Sequence, residues 1–264
     1  YPYELGHVKV LNLENFQIEE SIEVGIMPED MLYHDSYLWV ANSGESSVSK
    51  VDILSNSIVQ SLEVGQGPQN LINYNEDLYI SRTFYDSSWD TFYGSSKINM
   101  NDNSILINDY GSGVACGGGV YKYQDAVYRT YNGGIARIDE NLNILPETRL
   151  GNYNSLEVYS VEVVGDYIYF GLSDYVYPDY VAIVDSLGQE VALHEAGALP
   201  GDFADWVCFA NGDIDYDGYL SVSDIIIMVS NIINQNSFEC ILDLDDNTVI
   251  DVLDVVITVQ NILN

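Results

Sequence analysis

Two stretches near the C-terminus carry oxygen-bearing side chains at the spacing of a calcium-binding loop. Each ligand position of the first stretch is matched thirty residues later in the second. The predicted ligands are Asp213, Asp215, Asp217, Tyr219, Ser221 and Asp224 in the first loop and Asp243, Asp245, Asn247, Val249, Asp251 and Asp254 in the second. The seventh-position residues, Tyr219 and Val249, would contribute only backbone carbonyl oxygens. Calcium takes six to eight oxygen ligands in such loops, so the pattern predicts two bound calcium ions.

The acidic side chains of these loops have no basic residue nearby in the sequence. From Cys208 onward the chain contains ten Asp or Glu residues and no Lys or Arg. Carboxylates a few ångströms apart disfavour one another's ionisation, so the alternative, an acidic turn that binds nothing, leaves a repulsion uncompensated. Gly218 suits the sharp turn at position six of the first loop, whereas the second loop has Thr248 there. We therefore expect the second site to be the weaker one.

Each loop is followed by an aliphatic segment with helical character, and the combination resembles a known domain family. The pattern D-x-D-x-D-G-x-L-S-x-x-D followed by an aliphatic helix, given twice in 208–264, resembles a type I dockerin. This resemblance covers about a fifth of the chain. It implies two calcium ions, two antiparallel helices and docking to a cohesin partner. The partner-contacting positions that it implies are Val222, Ser223, Val252 and Leu253.

Cys208 and Cys240 stand on either side of the first loop and helix. In an exported protein we expect them to form a disulfide that joins the two ends of this unit. Two buried thiols are the alternative. Cys116 remains, and its small neighbours favour a packed inner strand over a reactive thiol.

Residues 1–207 consist of short alternating strands that recur with a period of 40 to 47 residues. An Asn or Asp followed by Gly after 12 or 13 residues occurs five times, at Asn12, Asp52, Asn99, Asp139 and Asp185. An apolar and aromatic strand occurs four times, at 37–40, 77–80, 126–128 and 167–170. Units of this length with four strands each predict a β-propeller, because a single blade cannot bury both of its faces.

The strand pairs predict about five blades and an incomplete ring. Five outer pairs but only four complete inner pairs are present, so the first outer pair (8–25) should close the ring with short strands from 200–209. The G-x-x-P and L-W-V-A-N segments within 20–85 resemble the YVTN family of propellers. A β-sandwich is the alternative. The predicted fold is thus mainly β: a propeller at 1–207 and a small α-helical, dockerin-like calcium domain at 208–264.

The predicted propeller carries no recognisable catalytic constellation. Its three histidines share no spacing, and neither a G-x-S-x-G nor an H-E-x-x-H motif is present. Two aromatic loops stand out instead, with Trp89 and Tyr93 in the second unit and Tyr177 in the fourth. They predict a contact surface for protein or carbohydrate on one rim of the propeller. Packing of long loops against the blades is the alternative.

The composition restricts the partners and the location. The net charge is −33, from 41 acidic and 8 basic residues, which excludes nucleic acid and disfavours anionic membranes. No run of 18 apolar residues predicts a membrane span. The chain opens at Tyr1, as expected of a processed form, and the calcium loops favour an extracellular or cell-surface location.

Together these features predict an exported, non-enzymatic structural or interaction protein. Its calcium-ordered domain would dock the propeller to a protein partner, foremost an identical neighbouring subunit in a filament or other assembly. One alternative is docking to a separate cohesin-type scaffold. Another is a secreted polysaccharide-active enzyme with a dockerin anchor.

Overall fold

A computed structural model describes residues 4–113, 118–203, 210–215, 218–234, 240–245, 247 and 249–263. The chain divides into two compact units, 1–203 and 204–264. The described strands all belong to the first unit and the two described α-helices to the second.

The described strands form five antiparallel sheets, numbered here in chain order. Sheet 1 contains β1 (Leu5–Leu11) and β2 (Ile18–Ile26), and sheet 2 contains β3 (Pro28–His34), β4 (Tyr37–Asn42), β5 (Ser47–Asp52) and β6 (Ser57–Glu63). Sheet 3 contains β7 (Pro68–Tyr74), β8 (Asp77–Tyr85), β9 (Thr91–Asn99) and β10 (Ile105–Ser112). Sheet 4 contains β11 (Val120–Tyr123), β12 (Ala126–Tyr131) and β13 (Gly134–Arg137). Sheet 5 contains β14 (Val158–Val164), β15 (Tyr167–Leu172), β16 (Asp179–Val184) and β17 (Glu190–Ala196).

The first strands of sheets 2 to 5 face a common centre. Strand β7 contacts both β3 and β11, and β11 contacts β14. Asp30, Asn70, Tyr121 and Glu162, one from each of these sheets, line one cavity together with Asp202. This radial order is that of propeller blades. The predicted aromatic strands are confirmed, since β4, β8, β12 and β15 begin at the first residue of each predicted segment.

The hydrophobic core consists of layers between neighbouring sheets. Ile22 of sheet 1 packs in one cluster with Val40 of sheet 2, and Trp39 of sheet 2 packs in another with Leu71 of sheet 3. Further clusters join sheet 3 to sheet 4 and sheet 4 to sheet 5. Among the described residues, sheets 2, 3 and 4 therefore each pack against two neighbouring sheets, and sheets 1 and 5 against one.

The recurrent Asn or Asp of the sequence repeat begins a turn at the outer edge of each sheet. The Oδ1 atom of Asp52 accepts hydrogen bonds from the N–H groups of Leu54 and Ser55, at 2.8 and 2.9 Å. Equivalent bonds to the second residue along the chain are made by Asn12, Asn99, Asp139 and Asp185. A short side chain with a carbonyl or carboxylate oxygen is needed for such a turn, which explains the residue type.

Two of the five sheets depart from the predicted four-stranded unit. In sheet 4, isolated bridges from Ile135 to Leu150 and from Ile138 to Ile144 replace a fourth strand. A 3-10 turn, Pro146–Thr148, lies between them, because Pro146 has no N–H to donate and cannot continue a strand. In sheet 1, the described residues provide only two strands. Residues 200–203, where the predicted closing strands begin, form no strand, and 204–209 lie outside the described residues.

The second unit contains the two helices that were expected after the candidate loops. They are α1 (Val222–Asn234) and α2 (Val252–Leu263), and they pack against each other. Met228 and Thr258, thirty residues apart, are both 0 % exposed, and Thr258 Oγ1 lies 3.7 Å from Met228 Sδ. Among the described residues, no helix combines the length and apolar character that a membrane crossing requires.

Candidate functional sites

Three carboxylates of the first predicted calcium loop converge. Carboxylate oxygens of Asp213, Asp215 and Asp224 all lie within 4.8 Å of one another. Asp224 is 0 % exposed. Its Oδ1 accepts the N–H of Ile214 at 3.0 Å and its Oδ2 that of Ser221 at 2.8 Å, which holds the loop around the carboxylate. Three oxygens at this spacing provide part of a shell for one hard cation.

The second loop repeats this arrangement. Carboxylate oxygens of Asp243, Asp245 and Asp254 also lie within 4.8 Å of one another. Asp254 is 0 % and Asp243 5 % exposed. Asp254 accepts the N–H groups of Leu244 and Asp251, each at 2.8 Å. In both loops the twelfth-position carboxylate therefore joins the loop to the first turn of the following helix.

The two loops differ electrostatically although their sequences repeat. Burial opposes the ionisation of Asp224, but the amides of Ser221, Asp215 and Ile214 together hold its pKa below the ordinary value. Burial raises the pKa of Asp245, and the charge of Asp254 adds to this. Asp224 of the first loop is therefore more easily ionised than an ordinary aspartate, and Asp245 of the second loop less easily.

The remaining predicted ligands lie in the same loops where the structure describes them. Gly218 has a φ of +83°, the left-handed conformation expected at position six. Tyr219 is 75 % and Val249 54 % exposed, which suits residues that would contribute backbone carbonyls only. Asp217 and Thr248 lie outside the described residues, so the prediction that the second loop is weaker stays a prediction.

Three predicted ligand side chains make local hydrogen bonds. Ser221 Oγ accepts the N–H of Ser223 at 3.1 Å, and Asp251 Oδ1 accepts that of Leu253 at 2.7 Å. Both residues thus cap the start of a helix. Asn247 Oδ1 accepts the N–H of Val249 at 2.7 Å.

The outer faces of α1 and α2 are aliphatic. The predicted partner-contacting residues Val222, Ser223, Val252 and Leu253 are all exposed. Further exposed aliphatic residues are Ile226, Ile227, Val229 and Ile233 on α1 and Val256, Val259 and Leu263 on α2. The buried residues of the two helices are Asp224, Met228 and Asn231 on α1 and Asp254 and Thr258 on α2. We call these exposed aliphatic residues the helix-pair surface.

Cys240 is disulfide-bonded, and it begins the 3-10 turn Cys240–Leu242. Its partner lies outside the described residues, as do both Cys208 and Cys116. The predicted bond between Cys208 and Cys240 therefore stays a prediction.

The two aromatic loops connect the second and third strands of sheets 3 and 5, as predicted. Trp89 is 80 % and Tyr177 71 % exposed. Tyr93 differs, because its ring lies 5.3 Å from that of Tyr110 within sheet 3. Burial raises the pKa of Tyr93 above its ordinary value. Trp89 and Tyr177 are thus available for contact at the surface, whereas Tyr93 lies half-buried in β9 with its ring against that of Tyr110.

The central cavity of the propeller, about 330 Å³, is lined by the carboxylates of Glu29, Asp30, Glu162 and Asp202. Asp30 Oδ2 accepts the N–H of Leu71 at 2.7 Å, so this carboxylate links β3 to β7. Burial raises the pKa of Asp30. Burial also raises the pKa of Glu162; the amide of Val163 opposes this shift, and the charges of Asp202 and Asp30 reinforce it.

A second cavity, of about 470 Å³, contains the side chain that the sequence analysis missed. Arg129 of β12 lines it and is only 1 % exposed. Its guanidinium carbon lies 5.6 Å from the ring centre of Tyr93 and 5.7 Å from that of Tyr110. Its Nη2 donates to the carbonyl oxygen of Arg82 at 3.2 Å. Within the described part of the chain, its Nε and Nη1 have no hydrogen-bond partner and no carboxylate pairs with it.

These contacts do not compensate the burial of a full charge. Removing an ion from water costs several kcal/mol, of which a cation–π contact of a desolvated guanidinium offsets about 2 kcal/mol or more. Burial accordingly lowers the pKa of Arg129. Arg82, by contrast, is also buried but forms an ion pair with Asp109.

A signal for Arg129 exists in the repeat. It is the fourth residue of β12, and the fourth residues of β4, β8 and β15 are Val40, Ile80 and Phe170. All three are buried in the core. The sequence repeat therefore places a charged side chain at a position where three other sheets have a buried hydrophobic residue.

Comparisons with known proteins concern the fold only. No protein-family model and no curated protein matches the chain. Hydrazine synthase of Kuenenia stuttgartiensis is similar with a TM-score of 0.52 and 16 % identity, over 74 % of this chain and 61 % of that chain. The dihydro-heme d1 dehydrogenase NirN in complex with DHE is similar with a TM-score of 0.50 and 14 % identity, over 74 % and 43 %. The WD40 domain of Neurospora crassa Pan2 is similar with a TM-score of 0.50 and 11 % identity, over 75 % and 64 %.

The chain thus spans less than two thirds of each of these three structures. At such low identity the likeness carries no activity or ligand across. What it shows, together with the radial order of the sheets, is a mainly β fold of the WD40-like propeller type followed by two helices.

Proposed function

We propose that this chain is an extracellular, non-enzymatic structural protein whose calcium-ordered, dockerin-like unit docks its propeller to an identical neighbouring subunit. The observation that carries the proposal is the pair of matching carboxylate clusters, each containing an Asp at 0 % exposure. Several carboxylates this close together are unfavourable unless a cation neutralises them.

Calcium would act on the helices through the twelfth-position carboxylates. Asp224 and Asp254 each bind loop amides and lie in the first turn of a helix, so a cation that fixes the loop also fixes the helix start. With both helices fixed, the helix-pair surface is presented as one aliphatic face. A face of this kind is typical of a protein-contact site.

An identical copy is the partner we favour, because the propeller offers an acceptor. Sheet 1 contributes two strands in the described part of the chain, where three other sheets contribute four. Such an edge can accept a segment from another molecule. When one surface of a protein binds a different surface of an identical copy, each copy can bind the next. The result is a fibre, unless the rotation between neighbouring copies closes a ring.

Particle size, measured by light scattering and negative-stain microscopy with calcium and then with excess chelator, tests the proposal. We expect long particles with calcium and monomers after chelation. The double variant Asp224→Asn with Asp254→Asn should stay monomeric in both conditions. Asp125→Asn, which changes an exposed carboxylate in the turn between β11 and β12, should assemble like the unmodified protein. Monomers with calcium at high concentration would contradict self-assembly and favour a separate cohesin-type scaffold.

The enzymatic alternative rests on the carboxylates of the central cavity. Glycosidases use two carboxyl groups, one of them with a raised pKa. Against this role, Asp30 is occupied by amide donors from β7. Release of reducing sugar from polysaccharides by the unmodified protein, abolished in Glu162→Gln, would favour the enzyme over the structural protein.

A further inference from the structure

We propose that the cavity around Arg129 binds a small sugar acid, with the carboxylate of the ligand paired to the buried guanidinium. This inference is independent of the calcium unit and of assembly. Sheets 2, 3 and 5 fill the position equivalent to Arg129 with Val40, Ile80 and Phe170. A charge at a core position, with two nitrogens lacking a partner among the described residues, requires an anion that the described chain does not supply.

The cavity also contains the groups that a hydroxylated ligand needs. Thr83, Asn132 and Ser155 line it together with Arg129. Thr83 Oγ1 is buried without a hydrogen-bond partner among the described residues, which makes it a second unsatisfied polar group at the same place. Tyr93 adds an aromatic surface of the kind that packs on sugar rings. A volume of about 470 Å³ lies within the range of small-molecule pockets.

Charge selects the class of anion. The protein carries a net charge of −33, which repels polyanions such as nucleic acids and highly phosphorylated ligands. One guanidinium matches one negative charge, whereas a dianionic phosphate would leave an uncompensated charge in the cavity. A guanidinium also matches the planar geometry of a carboxylate. A monocarboxylate with several hydroxyl groups therefore fits this site best.

Titration calorimetry of the full chain with D-glucuronate, D-glucose and inorganic phosphate, in calcium-containing buffer, tests the inference. Glucose has the same ring as glucuronate but no carboxylate. We expect glucuronate to bind at least about 100-fold more tightly than glucose, the ratio expected when a buried charge loses its partner. Glucose bound as tightly as glucuronate, or phosphate bound more tightly, would overturn it, and so would the absence of any glucuronate binding.

The variant Arg129→Ile restores the residue found at this position in sheet 3. We expect it to fold, to melt at or above the temperature of the unmodified protein, and to lose glucuronate binding by about 100-fold. The matched control is Arg137→Ile, which changes an exposed arginine of sheet 4 and should bind glucuronate unchanged. Glucuronate should raise the melting temperature of the unmodified protein and of the control, but not that of Arg129→Ile. Equal binding by Arg129→Ile would overturn the assignment.

Discussion

Glu162 lies at the centre of the propeller among other carboxylates, and its pKa is raised by burial first and by neighbouring charges second. A carboxyl group whose pKa is higher in the folded than in the unfolded state stabilises the fold below the unfolded pKa, about 4.3 for Glu. That stability is lost as the pH rises through the folded pKa. At neutral pH the ionised Glu162 therefore opposes folding.

Glu162→Gln should accordingly stabilise the protein at neutral pH. The melting temperature at pH 7 should rise by about 2 °C, a modest value because the side chain is partly solvated. The gain should shrink towards pH 4. Thermal unfolding followed by circular dichroism between pH 4 and pH 7, with chelator present throughout, measures it. Glu140→Gln, at an exposed position, serves as control, and a destabilised Glu162→Gln at pH 7 would contradict the argument.

Single residues show what the sequence could and could not predict. Asp52 and its four counterparts were recognisable because their turn chemistry is local and recurs in every unit. Arg129 was not recognised, because its burial can be inferred only from the residues that other sheets bury at the same register. The apolar and aromatic pattern of this strand ends at Tyr128, immediately before Arg129. The interruption itself was the signal.

At the scale of elements, the convergence of three carboxylates in each loop followed from the sequence, because side chains at fixed spacing lie on one short loop, and calcium binding there stays a prediction. The helix-pair surface was also expected, since two short helices cannot cover aliphatic residues on all their faces. The absence of a fourth strand from sheet 4 was not expected from the sequence. There the pairing is interrupted by the turn around Pro146, and which neighbouring segment completes a sheet is decided by tertiary packing.

The first loop should bind calcium more tightly than the second. Calcium titration calorimetry should resolve two binding steps, with the weaker step belonging to the second loop, because Thr248 replaces the glycine of position six. Asp254→Asn should remove the weaker step and leave the tighter one. Asp224→Asn should remove the tighter one. Loss of the tighter step in Asp254→Asn would reverse the assignment of the two sites.

The helix-pair surface should be separable from calcium binding. Ile226 is 64 % and Ile233 73 % exposed, so the double variant Ile226→Asp with Ile233→Asp should still fold. It should retain both calcium steps in calorimetry but fail to form long particles, because docking would then bury unpaired charges. A control with two Asp substitutions at Ser230 and Asn234 of the same helix changes the charge equally. Assembly of the Ile variant at the unmodified level would exclude this surface from docking.

At the scale of the whole molecule, the net charge is the feature with the largest expected effect on stability. A net charge of −33 opposes compaction through self-repulsion, which salt screens over a Debye length of about 10 Å at 0.1 M. With chelator present, the propeller should therefore melt at a higher temperature in 0.5 M than in 0.02 M sodium chloride, by several degrees in order of magnitude. Differential scanning calorimetry measures this. A melting temperature that falls with salt would mean that the few ion pairs, such as that of Lys97 with Asp77, outweigh the repulsion.

The irregular edge of sheet 4 has one further consequence, for proteolysis. Arg137 ends β13, Arg149 follows the turn around Pro146, and no Lys or Arg follows in 150–264. The last two bonds within 1–264 that trypsin can cut thus lie at either end of the segment 138–149. This segment is held by isolated bridges and not by a full strand. A brief digestion should divide the molecule there, and the fragment 150–264 then carries sheet 5 and both helices on a single peptide.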